Sequence, residues 1–233
     1  MSQISTLKSQ VSNYVIIVAG GSGTRMGTVV PKQFLTINGL PVLMHTVLAF
    51  HTSESRPNII LVLPSSYHDY WYQLCETHKF VVPHQLVSGG ETRFHSVKNG
   101  LDLIDDENSV IAVQDAVRPF TSTRVIDKSY THAAEHGNAV VAVKSRDSIR
   151  QQKADTSTAL NRDEIYLVQT PQTFQFAQIK SAYHQAYENR FTDDASVVEA
   201  TGVKINLIEG DYRNIKITFP EDIAIAELLL KEQ

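Results

Sequence analysis

The chain has 233 residues, 42% hydrophobic and 20% charged, with a formal net charge of -4, which suits one α/β domain spanning residues 1–233. That balance offers no basic surface for nucleic acid, and no apolar stretch approaches the roughly 18 residues of a membrane span. A single cysteine excludes an internal disulfide and a cysteine-based zinc cluster, and the polar first 13 residues lack the apolar centre of a secretory signal, so a soluble cytoplasmic protein is expected.

In chain order, short apolar runs predict strands at 14–18, 58–63, 85–87, 110–113 and 139–143, with helix-period segments at 42–51, 67–77, 92–103 and 122–136 between them. Cys75 falls in the second helix beside Trp71, Tyr72 and Leu74, where a free cysteine packs as a small hydrophobe. The alternation predicts a doubly wound, mostly parallel, Rossmann-like sheet covered on both faces. Polar motifs follow the strand ends at 20–32, 88–96 and 115–119, the side of such a sheet where ligands bind.

From 144 to 170 the pattern breaks into an extended stretch, a polar centre and a second extended stretch near 165–168. It reads as a protruding β-hairpin. Its polar centre suits either a solvated loop or an arm that embraces another subunit. Helices are expected at 177–187 and 194–201, then strands at 204–208 and 214–218. In the second of these, Lys216 would oppose Ile215 and Ile217. A last helix follows Pro220, with Glu221 and Asp222 at its positive end.

The segment Ala19-Gly20-Gly21-Ser22-Gly23-Thr24-Arg25-Met26-Gly27 leaves the first strand and is followed by Pro31-Lys32-Gln33. Glycines let backbone N–H groups converge on an anion, and Arg25 and Lys32 bracket the turn with positive charge. A dinucleotide fingerprint fits poorly, because Met26 stands where its third glycine belongs and no acidic residue ends the second strand. A Walker loop would need Gly-Lys-Ser/Thr, which does not occur there. Polyphosphate binding and a tight structural turn remain, and the turn alone does not explain Arg25 and Lys32. Asp115 suits a ribose hydroxyl or a Mg²⁺ shell, or a helix cap paired with Arg118. Ser88 and Glu91 could lie near a cap of their own helix. The nine histidines show no metal-ligand spacing.

Together the segments Ala19–Met26, Pro31-Lys32-Gln33, Gly89-Gly90-x-x-Arg93-x-x-Ser96, Asp115-Ala116-Val117-Arg118-Pro119, Thr170-Pro171-Gln172, Thr192-Asp193-Asp194-Ala195-Ser196 and Asn214-Ile215-Lys216 resemble the 2-C-methyl-D-erythritol 4-phosphate cytidylyltransferases, the isoprenoid-pathway cytidylyltransferase family. The resemblance implies CMP transfer from CTP to a polyol phosphate, aided by Mg²⁺ held mainly by the CTP phosphates with Asp115 nearby. It implies that Arg25 and Lys32 stabilise the transition state and that Arg162 and Lys216 hold the acceptor. Ala19, Gly20, Gly21, Gly23, Thr24, Gly90, Glu91, Ser96, Asp115 and Ala116 would bind the nucleotide. Arg118, Ser148, Thr170 and Thr192 would bind the acceptor, and the arm would join a homodimer. Glu91 stands where the family often has Asp, Ser148 where Thr is usual and Gln114 where His is common. The Asp-Ala-Val-Arg-Pro form also occurs in the related ribitol 5-phosphate cytidylyltransferases. A noncatalytic nucleotide sensor is the reading from another class.

Overall fold

The structure is a computed structural model that describes residues 11–20 and 30–231. Its strands are β1 (Asn13–Val18), β2 (Thr36–Ile37), β3 (Leu40–Pro41), β4 (Asn58–Leu63), β5 (Gln85–Ser88), β6 (Val110–Asp115), β7 (Asn138–Lys144), β8 (Arg150–Lys153), β9 (Thr156–Ala159), β10 (Tyr166–Gln175) and β11 (Leu207–Glu209). The helices are α1 (Val42–His51), α2 (His68–Thr77), α3 (Arg93–Leu101), α4 (Thr123–His136), α5 (Phe176–Ala182), α6 (Asp194–Glu199) and α7 (Glu221–Lys231).

Among the described residues a seven-stranded sheet runs β11-β7-β10-β6-β1-β4-β5. β1 pairs in parallel with β4 and β6, β4 with β5, and β11 with β7. β10 alone runs antiparallel, between β6 and β7. The period-2 alternation of each strand divides the core between the two faces. Val15, Ile17 and Leu61 pack beneath α1, α2 and α4, against Met44, Trp71 and Ile126. Ile16, Val18 and Val62 face α3, α5 and α6, against Phe94, Ile179 and Val198. The doubly wound, mostly parallel sheet expected from the sequence is therefore present. Cys75 lies in α2 and packs partly buried against the first of these clusters, where burial pushes its thiol up to about 11.

The hairpin emerges between β7 and β10. Tyr166 pairs with Lys144 at its base, and β8 and β9 form its tip, with Arg150 opposite Ala159. Residues 150–159 are all exposed. On returning to the sheet, β10 shifts register between Val168 and Gln172. Pro171, which has no N–H to donate, falls in that interruption.

Three expectations need correction. Residues 214–218 form no strand: Ile217 donates one backbone bond to Val117, while Asn214 is fixed through its side chain to Thr121 and Thr170. The predicted strand at 204–208 reduces to Leu207–Glu209: the Asn138 side chain takes up the Lys204 carbonyl and the Asn206 N–H, and the ladder to β7 begins only at the Asn206 carbonyl, which accepts from Val140 N–H. The helix expected over 177–187 stops at Ala182, where Tyr183 turns into the core to stack on Phe94 and bond Asp194.

Gly137 ends α4 with φ +92°, and a Cβ there would lie 2.3 Å from Gln178 Nε2. Gly137→Ala is expected to cost about 1–3 kcal/mol of stability, mostly backbone strain. Urea unfolding of the two proteins checks this.

Candidate functional site

Four segments meet at the carboxyl-terminal side of β1, β5 and β6. The first leaves β1 at Ala19 and Gly20. Gln33 Nε2 donates to the Ala19 carbonyl at 3.0 Å, tying that turn to the short 3-10 helix Lys32–Phe34, where Lys32 is buried. The second joins β5 to α3. Gly90 N–H donates to Ser96 Oγ at 3.1 Å, and a Cβ on Gly90 would sit 2.4 Å from His95 Cβ, so the turn closes this tightly only with glycine. Thr92, rather than Ser88 or Glu91, caps α3.

The third segment ends β6. Asp115 is the strand's last residue and caps no helix; Ser122 caps the helix that follows. Its backbone N–H donates to Thr170 Oγ1 at 3.1 Å, drawing the register interruption of β10, the fourth segment, toward the site.

The Asp115 carboxylate is surrounded by cations. Lys216 Nζ lies 2.9 Å from Oδ2, Arg118 Nε 3.5 Å from Oδ2 and Arg93 Nε 3.6 Å from Oδ1. Burial disfavours its charge, yet Arg93, Lys216 and Arg118 overcome that and hold its carboxyl well below the usual carboxylate range. Burial lowers Arg118 from its ordinary range, with Asp115 opposing. Arg118 Nη1 also donates to the Asn214 carbonyl at 2.7 Å. Ile217, next to Lys216, is fully buried in a small cluster with Val117 and Phe120. Lys216 thus turns outward to Asp115 even without a strand around it.

Two hollows share this cluster. One, of about 230 Å³, is lined by Ala19, Gly20, Lys32, Glu91, Ser96 and Ala116. The other, of about 240 Å³, is lined by Arg118, Gln169, Thr170, Gln172, Thr192 and Asp193. Arg93, Asp115 and Lys216 border both. Arg162 and Ser148 lie exposed on the arm and line neither hollow; Arg162 Nη1 reaches the Arg146 carbonyl at 3.5 Å. Gly21, Gly23, Thr24 and Arg25 lie outside the described residues.

Arg93, Gln33 and Asn214 were read as parts of motifs and not as site residues. Arg93 carried a usable signal. A cation in the first turn of a helix opposes the macrodipole, which calls for anions nearby; Asp194 and Asp115 are those anions.

Among the described residues no group of three or more His, Cys, Asp or Glu could hold a metal. Asp115 is the carboxylate common to both hollows, and three cations already engage it. Both of its oxygens face those cations, so any divalent ion beside it would draw most of its oxygen ligands from outside the described residues.

A carboxyl depressed on folding contributes stability that is complete above its unfolded pKa and is lost as pH falls toward the folded value. Asp115→Asn leaves Lys216 and Arg118 without their carboxylate, while Arg93 keeps Asp194, so at pH 7 it is expected to be about 3 kcal/mol less stable than the parent. The gap should narrow as pH is lowered below about 4. Urea unfolding of both proteins across that range measures it.

The family described as 2-C-methyl-D-erythritol 4-phosphate cytidylyltransferase matches residues 13–232. The protein of that name from Bacteroides thetaiotaomicron is 50% identical over 216 residues, 93% of this chain and 98% of its own. Its counterpart from Bacteroides fragilis is 47% identical, covering 92% and 98%. The crystal structure of 4-diphosphocytidyl-2C-methyl-D-erythritol synthase from Anaerococcus prevotii superposes with a TM-score of 0.82 at 30% identity, over 95% of this chain and 96% of that one. With a family match over nearly the whole length and relatives near half identity, the chain belongs to the 2-C-methyl-D-erythritol 4-phosphate cytidylyltransferase family.

Proposed function

We propose that this chain transfers CMP from CTP to 2-C-methyl-D-erythritol 4-phosphate, giving 4-diphosphocytidyl-2-C-methyl-D-erythritol and pyrophosphate. Family membership supports the reaction. One observation carries the site assignment: a single carboxylate gathers three cations where two hollows meet. The glycine-edged hollow takes the nucleotide, with Ser96, Glu91 and Ala116 toward the base and Asp115 toward the ribose and metal. The Arg118, Thr170 and Thr192 hollow takes the acceptor phosphate.

The chemistry follows from charge. A phosphate monoester with a second pKa near 6 is largely dianionic at pH 7, so its oxygen attacks the α-phosphorus without a general base. A new P–O bond forms, the bond from the α-phosphorus to the bridging oxygen breaks, and pyrophosphate leaves with the electron pair. The barrier is repulsion between anions and charge growing on the leaving group, and cations placed in advance reduce both. Lys32 and Arg25 act at the triphosphate, and Lys216 and Arg118 at the incoming ester. Mg²⁺ carried with the triphosphate would neutralise part of its charge beside Asp115.

We further propose a homodimer joined by the arm, with Arg162 and Ser148 supplied to the partner's acceptor hollow. Two observations support it: both residues stand away from the hollows of their own chain, and Leu160, Tyr166, Leu167 and Val168 leave exposed apolar surface along the arm. A cytoplasmic location belongs to the same reading; among the described residues no helix is long and apolar enough to cross a membrane.

Incubating the protein with CTP, Mg²⁺ and a panel of acceptors, while following pyrophosphate release, tests the reaction. Release is expected with methylerythritol phosphate; preference for ribitol 5-phosphate, or CTP binding without turnover, would replace the assignment. Lys32→Ala is expected to lower kcat by about 10²–10³-fold with the fold retained, read by steady-state kinetics beside circular dichroism. Mixing Lys32→Ala with Arg162→Ala should recover activity that neither shows alone, and no recovery would place the whole site within one chain.

A further inference from the structure

Behind the cation cluster lies a second charged layer that the transfer itself does not use. Arg93 clasps Asp194 with both terminal nitrogens, Nη1 to Oδ1 at 2.9 Å and Nη2 to Oδ2 at 2.7 Å. The Asp194 side chain is completely buried, and its Oδ1 also accepts the Tyr183 hydroxyl at 2.6 Å. Tyr183 is itself buried, stacked on Phe94 with ring centroids 4.6 Å apart, and borders neither hollow. A chain of contacts thus runs from the core through Tyr183, Asp194 and Arg93 to Asp115, and from there to Lys216 and Arg118.

Two features make this more than a packed ion pair. A carboxylate taken wholly out of water is costly unless its oxygens are satisfied; Asp194 meets that condition by fixing the guanidinium plane in one orientation. The third nitrogen of that plane, Nε, is the one that faces Asp115. Phe94 follows Arg93 on the same helix, so the ring that holds Tyr183 and the guanidinium that holds Asp115 move together.

We propose that Asp194 and Tyr183 are positioning residues for the transfer: by locking Arg93 they fix the Asp115 carboxylate, and through it the places of Lys216 and Arg118 at the acceptor hollow. This rests on the reading of that hollow as the acceptor-phosphate site. The effect falls mainly on the acceptor because Arg118 lines that hollow alone, whereas Arg93, Asp115 and Lys216 border both and the nucleotide hollow has Lys32 and the β1 turn besides.

The test compares the parent with Tyr183→Phe, Arg93→Lys and Tyr130→Phe. Tyr130 is a matched control, a buried tyrosine whose hydroxyl donates to the Tyr14 carbonyl at 2.7 Å beneath the opposite face of the sheet. Tyr183→Phe, which removes one hydrogen bond to a charged group, is expected to raise KM for methylerythritol phosphate about tenfold, leaving KM for CTP within about twofold. Arg93→Lys keeps the charge but not the two-pronged grip and should raise the same KM further. Tyr130→Phe should lower Tm without moving either KM.

Calorimetric titration of the same proteins with inorganic phosphate reads the cluster without turnover, and its Kd should rise in Tyr183→Phe but not in Tyr130→Phe. An inactive parent whose phosphate affinity still falls in Tyr183→Phe would overturn the proposed reaction and keep this inference. An active parent that Tyr183→Phe matches in both KM values and in phosphate Kd would overturn the inference and keep the reaction. Equal shifts in the two KM values, or the same shifts in Tyr130→Phe, would also overturn it.

Discussion

A buried carboxylate at the end of a central strand can remain ionised only if positive groups come to it. At Asp115 they come from three parts of the chain: the first turn of α3, the loop directly after β6 and the irregular segment beyond β11. Each partner carries its own backbone into place, so the electrostatic demand of one residue assembles the walls of both hollows. At Asp115 the attraction outweighs burial, for its carboxyl is held well below the usual range, whereas at Arg118 burial prevails over the same partner. The arrangement also settles a local repulsion. Three neighbouring cations would push one another apart, and one fixed anion keeps them together.

Much of this was legible from residue order because the sheet is buried on both faces. Uninterrupted apolar runs such as Asn58–Leu63 have few alternatives to a central strand, and the polar motifs after them mark the ligand-binding side. Asp115, Arg118 and Lys216 could each be singled out from the sequence, Asp115 and Arg118 as a pair, and their motifs fall on the side of the sheet where ligands gather; that Lys216 lies 2.9 Å from Asp115, about a hundred residues away in sequence, needed the structure. Lys216 is instructive. Its placement agrees with a strand pattern, apolar on either side, yet the segment is held by the side chain of Asn214 and the burial of Ile217. Alternation reports which side chains are inside; it does not report whether a ladder exists.

β10 was the hardest element to read. Thr170-Pro171 in its middle resembles a break, since proline cannot donate to a ladder. The structure accommodates it by suspending the pairing between Val168 and Gln172 and resuming it afterwards. That interruption turns Gln169 and Thr170 toward Asp211, Asn214 and Asp115, a use of the kind that irregularities in sheets often serve beside binding sites. The apparent flaw in the strand is part of the wall of the second hollow.

The course of β10 constrains how this protein can vary. The strand runs from the base of the arm, past the site, into the middle of the sheet, with its pairing suspended between Val168 and Gln172. A one-residue insertion or deletion between Tyr166 and Val168 would slip the stem by one position against β7 while the sheet end stayed anchored at Gln172 and Phe174. Length differences between relatives should therefore collect at the tip, around Ala154 and Asp155, where β8 turns into β9 and no register has to be preserved.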